Sequence, residues 1–380
     1  MSTAKLVRAL GLMSGTSMDG VDVALIETDG EGRVEQGPTG FRPYSEAERA
    51  LLRAALADAR GVSERRQRPG VLLQAEEMVT LAHAQAVEAF LREQGVARDS
   101  VDLIGFHGQT VLHRPEARLT VQIGDGAALA RACGRPVVYD LRAADVAAGG
   151  QGAPLVPVYH RALVAQARRA GAAMPDVVAV LNLGGVANAT IIDADGGLTA
   201  TDAGPANALV DDFVRARRGL AFDAGGALAA SGTADQAIVA RLLEHPFFAA
   251  PAPKSLDRDA FANQLLEQAS DPDGAATLTA FSAQALGALL PHLRARPGLW
   301  IACGGGARNP TLLAMIESAV GAPVTTAERF GWSSDAMEAQ AFAYLAVRSR
   351  MGLPLTYPET TGAPAPMTGG VRVEPDAVPH

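Results

Sequence analysis

Residues 11–22, Gly-Leu-Met-Ser-Gly-Thr-Ser-Met-Asp-Gly-Val-Asp, constrain the fold of this chain more than any other stretch. They lie between two short, largely apolar runs, 6–10 and 21–26, each bounded by turn residues, which is the pattern of two adjacent strands. The stretch is then the tip of a hairpin. Glycines at 11, 15 and 20 allow positive φ and the close approach of an anion, while Ser14, Thr16 and Ser17 add hydroxyl donors to a row of amide N–H groups, making a phosphate cradle. Asp19 and Asp22 would repel a bare phosphate, so they fit a polyphosphate that carries a divalent cation or faces a reacting hydroxyl. An ordinary glycine-rich hairpin with solvated acids has the same spacing.

Charge and composition narrow the classes that such a hairpin can serve. Lys+Arg 33 against Asp+Glu 41 leaves a net charge of −8 and a pI near 5.4, which argues against nucleic acid or an anionic membrane as the main partner. The only lysines are Lys5 and Lys254, and neither follows a glycine, so a Walker-type loop is absent. No G-x-G-x-x-G occurs either, which closes the dinucleotide-fold route. Cys133 and Cys303 lack metal-ligand spacing and indicate a reduced, intracellular protein. No apolar run reaches membrane-spanning length and no secretory h-region survives past Ser14, so the expected location is cytoplasmic. At 380 residues the chain has room for two domains with real cores.

Beyond the hairpin, residues 46–59 and 72–94 carry apolar side chains at helical spacing, the second through Ala75, Met78, Val79, Ala82, Ala86, Ala89 and Phe90. The arginine-rich 60–70 between them reads as a solvated loop. Strands are expected over 101–106, ending in His107-Gly108-Gln109-Thr110, and over 119–123 and 136–140. Arg142 and Asp145 then lead into an irregular loop at 149–154. The pattern restarts at 177–183, with a Gly184-Gly185 turn, a strand over 186–192 and a third over 198–201 that ends at Asp202. Two glycine-tipped hairpins suggest two similar lobes facing one cleft. Helices are expected over 207–217, 277–293 and 311–319, the last following a strand at 299–302 and Gly304-Gly305-Gly306, a second place where backbone can press on a ligand. Asp335 opens a strong helix ending near Arg350, with Glu338 at capping-box spacing. The tail after Thr360 reads as irregular.

With these motifs in place, the chain closely resembles the anhydro-N-acetylmuramic acid kinases, a family of the actin, sugar-kinase and Hsp70-like ATPase superfamily. The markers are GLMSGTSMDGVD from Gly11, GFHGQTVLHRP from Gly105, DLRAADVAAGGQGAPLVP from Asp140, NLGGVAN from Asn182, TDAGPAN from Thr201, CGGGARNP from Cys303 and DAMEAQAFAYLAVR from Asp335. Seven in order, spanning nearly the whole chain, make the match specific. The resemblance implies an α/β, two-lobed actin-like ATPase (ribonuclease H-like) fold with ATP and sugar in the interlobe cleft. The N-terminal lobe would be residues 1–145, with the helix and tail from about 335 to 380 packing back on it, and the C-terminal lobe 146–334. It also implies ATP and Mg²⁺ as cofactors, a small sugar as partner, a possible homodimer, and a reaction in which water opens the 1,6-anhydro bridge at C1 while O6 takes the γ-phosphoryl group.

Asp202 takes the family's catalytic position, the base that water needs when it attacks an anomeric carbon. A helix-capping Asp is the alternative. Gly15, Thr16, Ser17, Met18, Asp19, Gly20, Val21 and Asp22 match the ATP segment, Gly184 and Gly185 approach the phosphates, and Gly304, Gly305 and Gly306 lie by the adenosine. Gln109, Thr110, Arg142 and Glu338 match substrate-side motifs, and Arg142 suits the lactyl carboxylate of a muramic sugar. Alternatively Arg142 bridges surface acids and Glu338 caps its helix. His107 reads as a hydrogen-bonded strand-end histidine, and no residue is assigned to a metal. Ala203 and Ala206 depart from the family's usual Thr and Gly. The rivals are a kinase of an ordinary amino sugar, in which Asp202 would deprotonate a hydroxyl, and a non-catalytic sugar-responsive binding protein. A regulator of the second kind would often carry a helix-turn-helix, for which the N-terminus leaves no room.

Overall fold

The computed structural model describes residues 5–256, 260–261 and 266–375. Its contacts divide the chain into two compact units, one formed by residues up to 166 together with those from 338 onward, the other by 167–337. The sequence had placed these boundaries at 145/146 and 334/335. Residues 376–380 of the expected tail lie outside the described residues. Among the described residues no helix is long and apolar enough to cross a membrane.

Unit 1 is built on a six-stranded sheet. Its strands are β1 (Val7–Met13), β2 (Gly20–Thr28), β3 (Val34–Pro43), β4 (Leu103–Phe106), β7 (Val137–Tyr139) and β13 (Val371–Val373), in the order β13-β7-β4-β1-β2-β3. A two-stranded ribbon, β5 (Gln109–Arg114) and β6 (Leu119–Ile123), stands beside it. β1 and β2 are antiparallel and β1, β4 and β7 parallel, so the ends of β1, β4 and β7 release their loops in one direction. The helices are α1 (Glu46–Ala59), α2 (Leu72–Glu93), α3 (Gly126–Cys133), α4 (Ala143–Ala148) and α5 (Pro157–Arg169), which runs past the unit boundary. α1 has the full capping box at Ser45 and Glu48. The predicted apolar row of α2 is the one it buries: Ala75, Val79, Ala82, Ala86 and Phe90 join Leu10, Leu12, Val23 and Ile104 in one core.

The hairpin glycines act differently from the sequence expectation. Gly15 and Gly20 do not have positive φ; Met18 does, at 56°. Gly11 lies inside β1, paired with Gly105 of β4. A Cβ on Gly11 would stand 1.8 Å from the carbonyl oxygen of Ala339, and one on Gly105 2.1 Å from that of Phe342. Two glycines side by side thus make a floor on which the helix Met337–Arg350 rests with backbone against backbone. The tail is ordered too, since residues 371–373 pair antiparallel with 139–137 as the outer strand of the sheet.

Unit 2 repeats the five-strand pattern. β8 (Val178–Leu183), β9 (Val186–Ile192) and β10 (Leu198–Pro205) form an antiparallel meander, and β11 (Leu299–Cys303) and β12 (Val324–Thr326) extend β8 in parallel, in the order β10-β9-β8-β11-β12. The first unit's β3-β2-β1-β4-β7 has the same directions. β10 continues four residues beyond the predicted end at 201, so Asp202 sits within a strand, immediately before a bulge between Asp202 and Gly204. The helices of this unit are α6 (Ala208–Arg218), α7 (Ala227–Ala230), α8 (Gln236–Leu243), α9 (Pro246–Ala249), α10 (Asp271–Leu289) and α11 (Pro310–Val320). The last two helices, α12 (Met337–Arg350), all but its first residue, and α13 (Pro358–Thr361), belong to unit 1. α10 begins six residues earlier than expected because Ser270 caps it and Pro272 occupies its first turn. It is buried on nearly every side and is the central helix of unit 2.

Candidate active site

In unit 1 the β1–β2 turn is held from beneath by buried side chains. Ser14 Oγ donates to Gln109 Oε1 at 2.6 Å, Gln109 Nε2 donates to the Gly15 carbonyl at 3.1 Å, and the Tyr44 hydroxyl lies 3.1 Å from Ser14 Oγ. The Gly15 carbonyl also accepts from Met18 N–H. A trans peptide aims its C=O and N–H in opposite directions, so the Thr16 N–H points away from this clamp. Thr16, Ser17 and Asp19 are exposed, Asp22 is half-buried, and a Cβ on Gly15 would meet nothing closer than 3.6 Å. The open side of the turn is therefore made of N–H and hydroxyl groups. Val21 is a core residue whose side chain faces inward, and Gly20 is buried where β2 begins. Both ends of the Gln109 amide are committed to the turn, which makes it a clamp.

Arg142 lies three residues beyond β7, at the N-cap of α4. Its Nη1 donates to the Gly152 carbonyl at 3.0 Å and its Nη2 lies 3.2 Å from His107 Nε2, while its Nε is buried with no hydrogen-bond partner. Burial pushes the guanidinium down from its ordinary pKa, and the charges of Glu338 and Asp145 oppose that shift. Burial also raises the Glu338 carboxyl, with Arg142 drawing it back. Glu338 lies in the first turn of α12, but the capping box with Asp335 does not form. Asp335 pairs with Arg308, and the N–H of Ala336, just before the helix, is taken by Ser333 Oγ. Thr110 is half-buried and accepts from Gln122 Nε2 at 3.3 Å.

In unit 2 the register sets Cys303, Asn182, Asn188 and Asp202 in one row across four strands. The three polar members are half-buried at the edge of an apolar core. Asp202 Oδ1 accepts from Asn188 Nδ2, and Oδ2 accepts from the Leu256 backbone N–H at 2.7 Å. Its own N–H donates to the Lys254 carbonyl. A helix cap it is not, since α6 starts six residues later with Asn207 at its N-cap. Burial raises the Asp202 carboxyl to about 6, with the Leu256 and Asn188 donors pulling the other way. The bulge that follows takes Ala203 out of register and into the core with Ala206. The methyl of Ala203 therefore fills protein interior, while Ala206 also borders the cavity described next.

The carbonyls of Gly184 and Gly185 accept from the N–H groups of Asn207, Ala206 and Ala208, which turns the Gly185 N–H outward. Neither glycine has a close neighbour where a Cβ would stand. Gly304 and Gly306 differ, because a Cβ there would strike Asn182 Oδ1 and Leu183 Cβ within 2.6 Å, so they are required by the packing of the β11 turn. Gly305 between them is exposed and lines a cavity of about 250 Å³, together with Asn207, Phe222, Asp223, Arg308 and Asn309. Unit 1 has a larger hollow, about 690 Å³, under Arg65 and Arg68. Those arginines are already paired with Asp140 and Glu76.

Sequence reasoning passed over Asn182 and Asn188. They sit two residues either side of the Leu183–Ala187 pair's turn, in NLGGVAN, and equal distance from a hairpin turn is the signal that would have placed them opposite each other. Asp145 was named only as a loop neighbour.

Two sheets of one strand order, each headed by an antiparallel hairpin with an open glycine turn and one beside an aligned carboxylate, make a mixed α/β fold with two matching halves. A sequence model described as anhydro-N-acetylmuramic acid kinase matches residues 7–374. A protein of that name from Rhodopseudomonas palustris (strain BisB18) is 59% identical over 368 residues, covering 97% of this chain and 100% of its own length. Another from Methylobacterium nodulans is 55% identical over 379 residues, with 97% and 100% covered. Among solved structures, component A of (R)-2-hydroxyglutaryl-CoA dehydratase from Acidaminococcus fermentans aligns over 91% of this chain and 99% of its own at 11% identity and a TM-score of 0.47. The chain belongs to the anhydro-N-acetylmuramic acid kinase family, and it is a kinase.

Proposed function

We propose that this kinase hydrolyses the 1,6-anhydro bridge of anhydro-N-acetylmuramic acid and phosphorylates O6 with ATP, giving N-acetylmuramate 6-phosphate and ADP. Its place is the recycling of cell-wall sugars in the cytoplasm. The observation that carries this reading is Asp202, a carboxylate fixed by Asn188 and the Leu256 N–H and raised to about 6. A base of that strength is ionised at neutral pH yet basic enough to take a proton from attacking water.

Asp202 accepts a proton from water as the water oxygen bonds to C1. The C1–O6 bond breaks, and O6 bonds to the γ-phosphorus as the bond to the ADP oxygen breaks. The strained bicycle and the simultaneous phosphorylation of O6 remove the need for a separate acid at the leaving oxygen. Arg142 receives the lactyl carboxylate through the Nη protons not held by Gly152 and His107. Glu338 and Thr110 complete the sugar contacts. The nucleoside fits the cavity beside Gly305, Phe222 and Arg308; the outward N–H of Gly185 in unit 2 and those of the Gly15–Asp19 turn in unit 1 are each, by themselves, suited to phosphate oxygens. Mg²⁺, when bound with ATP, would neutralise phosphate charge, with Asp19 and Asp22 as the nearby carboxylates of that turn.

Turnover in ¹⁸O-labelled water tests the reading. The label should appear at C1 of the product, and ADP release should require the anhydro sugar. A label-free product, or equal turnover of the ring-opened sugar, would mean that Asp202 activates a hydroxyl and that the chain phosphorylates an ordinary amino sugar.

A further inference from the structure

We propose that His107 is a positioning residue that sets the affinity for the acidic sugar by holding the Arg142 guanidinium in its receiving orientation. The proposal rests on the assignment of Arg142 to the lactyl carboxylate.

The tautomer of His107 follows from its neighbours. Nδ1 lies 2.9 Å from the Gly108 carbonyl and 3.1 Å from the Ser14 carbonyl, two acceptors, so Nδ1 carries the proton. Nε2 then presents a lone pair, and its neighbour at 3.2 Å is Arg142 Nη2, a donor only. The ring is buried and rests against Phe342 of α12 at a centroid distance of 4.7 Å. Burial and the Arg142 charge both keep it neutral, at about 3. The second N–H held inside is on Nη1, bonded to the Gly152 carbonyl. Gly152 is in turn fixed, because its N–H donates to Asp145 Oδ1 at 2.6 Å. Asp145 is buried, and its other oxygen accepts from the hydroxyls of Thr356 and Thr361.

The guanidinium is thus gripped on both Nη atoms by neutral acceptors. Its charge is not cancelled by a carboxylate in bonding contact, and the Nε–H is left without a partner. Its fork is spent on neutral acceptors, so the positive charge stays available to an anion. The guanidinium is kept in place and left electrostatically hungry. The same imidazole anchors Ser14, whose side chain holds the Gln109 clamp, so one ring ties the carboxylate receptor to the β1–β2 turn.

Steady-state kinetics of the full-length enzyme with three variants tests this. His107→Asn keeps an N–H toward the Gly108 and Ser14 carbonyls but has nothing to offer Arg142. It should raise KM for the anhydro sugar about tenfold, the size of one misaligned charge-assisted hydrogen bond, with kcat and the KM for ATP within about twofold. His107→Gln returns an acceptor toward Nη2 and should recover most of that loss. A merely structural histidine would instead lower kcat or disturb ATP binding, and both variants would suffer alike; either result overturns the proposal. Should the Asn variant fail to fold, the Gln variant decides alone, with a KM near wild type in support and a tenfold rise against. Arg142→Met separates the two assignments. If it leaves the sugar KM unchanged, the carboxylate assignment of Arg142 has failed; if it raises KM while His107→Asn does not, only the positioning role has.

Discussion

At the scale of single residues, Asp202 has the most direct consequence. Its carboxyl holds a proton up to about pH 6 because burial disfavours the anion, and only the ionised form can accept a proton from water. The rate should therefore fall about tenfold per pH unit below that value and level off above it. Asp202→Asn should lower kcat by about 10³-fold and lose the acid limb of the profile, while nucleotide affinity measured by calorimetry stays near wild type. An unchanged limb in the variant would assign the base elsewhere. Asp202 itself was legible because it ends a glycine-flanked apolar run in a recognisable motif. Its partners were not: Asn188 reaches it through strand register and Leu256 through a loop some fifty residues on, and neither pairing leaves a local pattern. For two other residues the packing does not match the structural alternative, since Asp335 pairs with Arg308 instead of closing a capping box with Glu338, and Arg142 faces inward to His107 and Gly152; their contact with a sugar belongs to the proposal.

At the scale of elements, the contact of α12 with the sheet depends on the absence of two side chains. Gly11→Ala would drive a methyl into the Ala339 carbonyl, 1.8 Å away, and the helix would have to lift. The expected cost is about 3 kcal/mol, the upper range for overpacked sites, seen as a lower midpoint in urea unfolding. Gly61→Ala, at a site with open space around it, should change little by comparison. A Gly11→Ala variant as stable as wild type would show that α12 does not lie as described. Helices with a clear 3.6-residue apolar row, α1 and α2, were readable to within a residue. β3, α4 and α5 were not. β3 is an edge strand with Gly37, Pro38 and Gly40 in it, which break the signal while costing an edge strand little. α4 and α5 flank the glycine and proline loop at 149–154 and are short or begin at Pro157. β13 has exposed residues and exists only because β7 offers it an edge.

At the scale of the whole molecule, the repeated strand order was visible as a second glycine-tipped hairpin, since turns and apolar runs are local. The division between units was hidden, because α5 crosses it as one continuous helix and helical pattern carries no mark of which body it packs on. The proposed nucleoside cavity is lined by one unit alone, so hydrogen exchange should report the two ligands separately. ADP should slow exchange at 206–211 and 305–312, and the sugar alone at 107–110 and 142–152. Protection by ADP confined to the second set would place the nucleoside elsewhere. Unit 2 is one unbroken stretch, but unit 1 draws on both ends of the chain. During synthesis the Gly11–Gly105 floor and the outer edge of β7 are made before unit 2, and the residues that cover them are made after it. Unit 1 cannot finish folding until residues 338–375 have been made, and for that interval it presents a bare sheet edge to whatever else is in the cell.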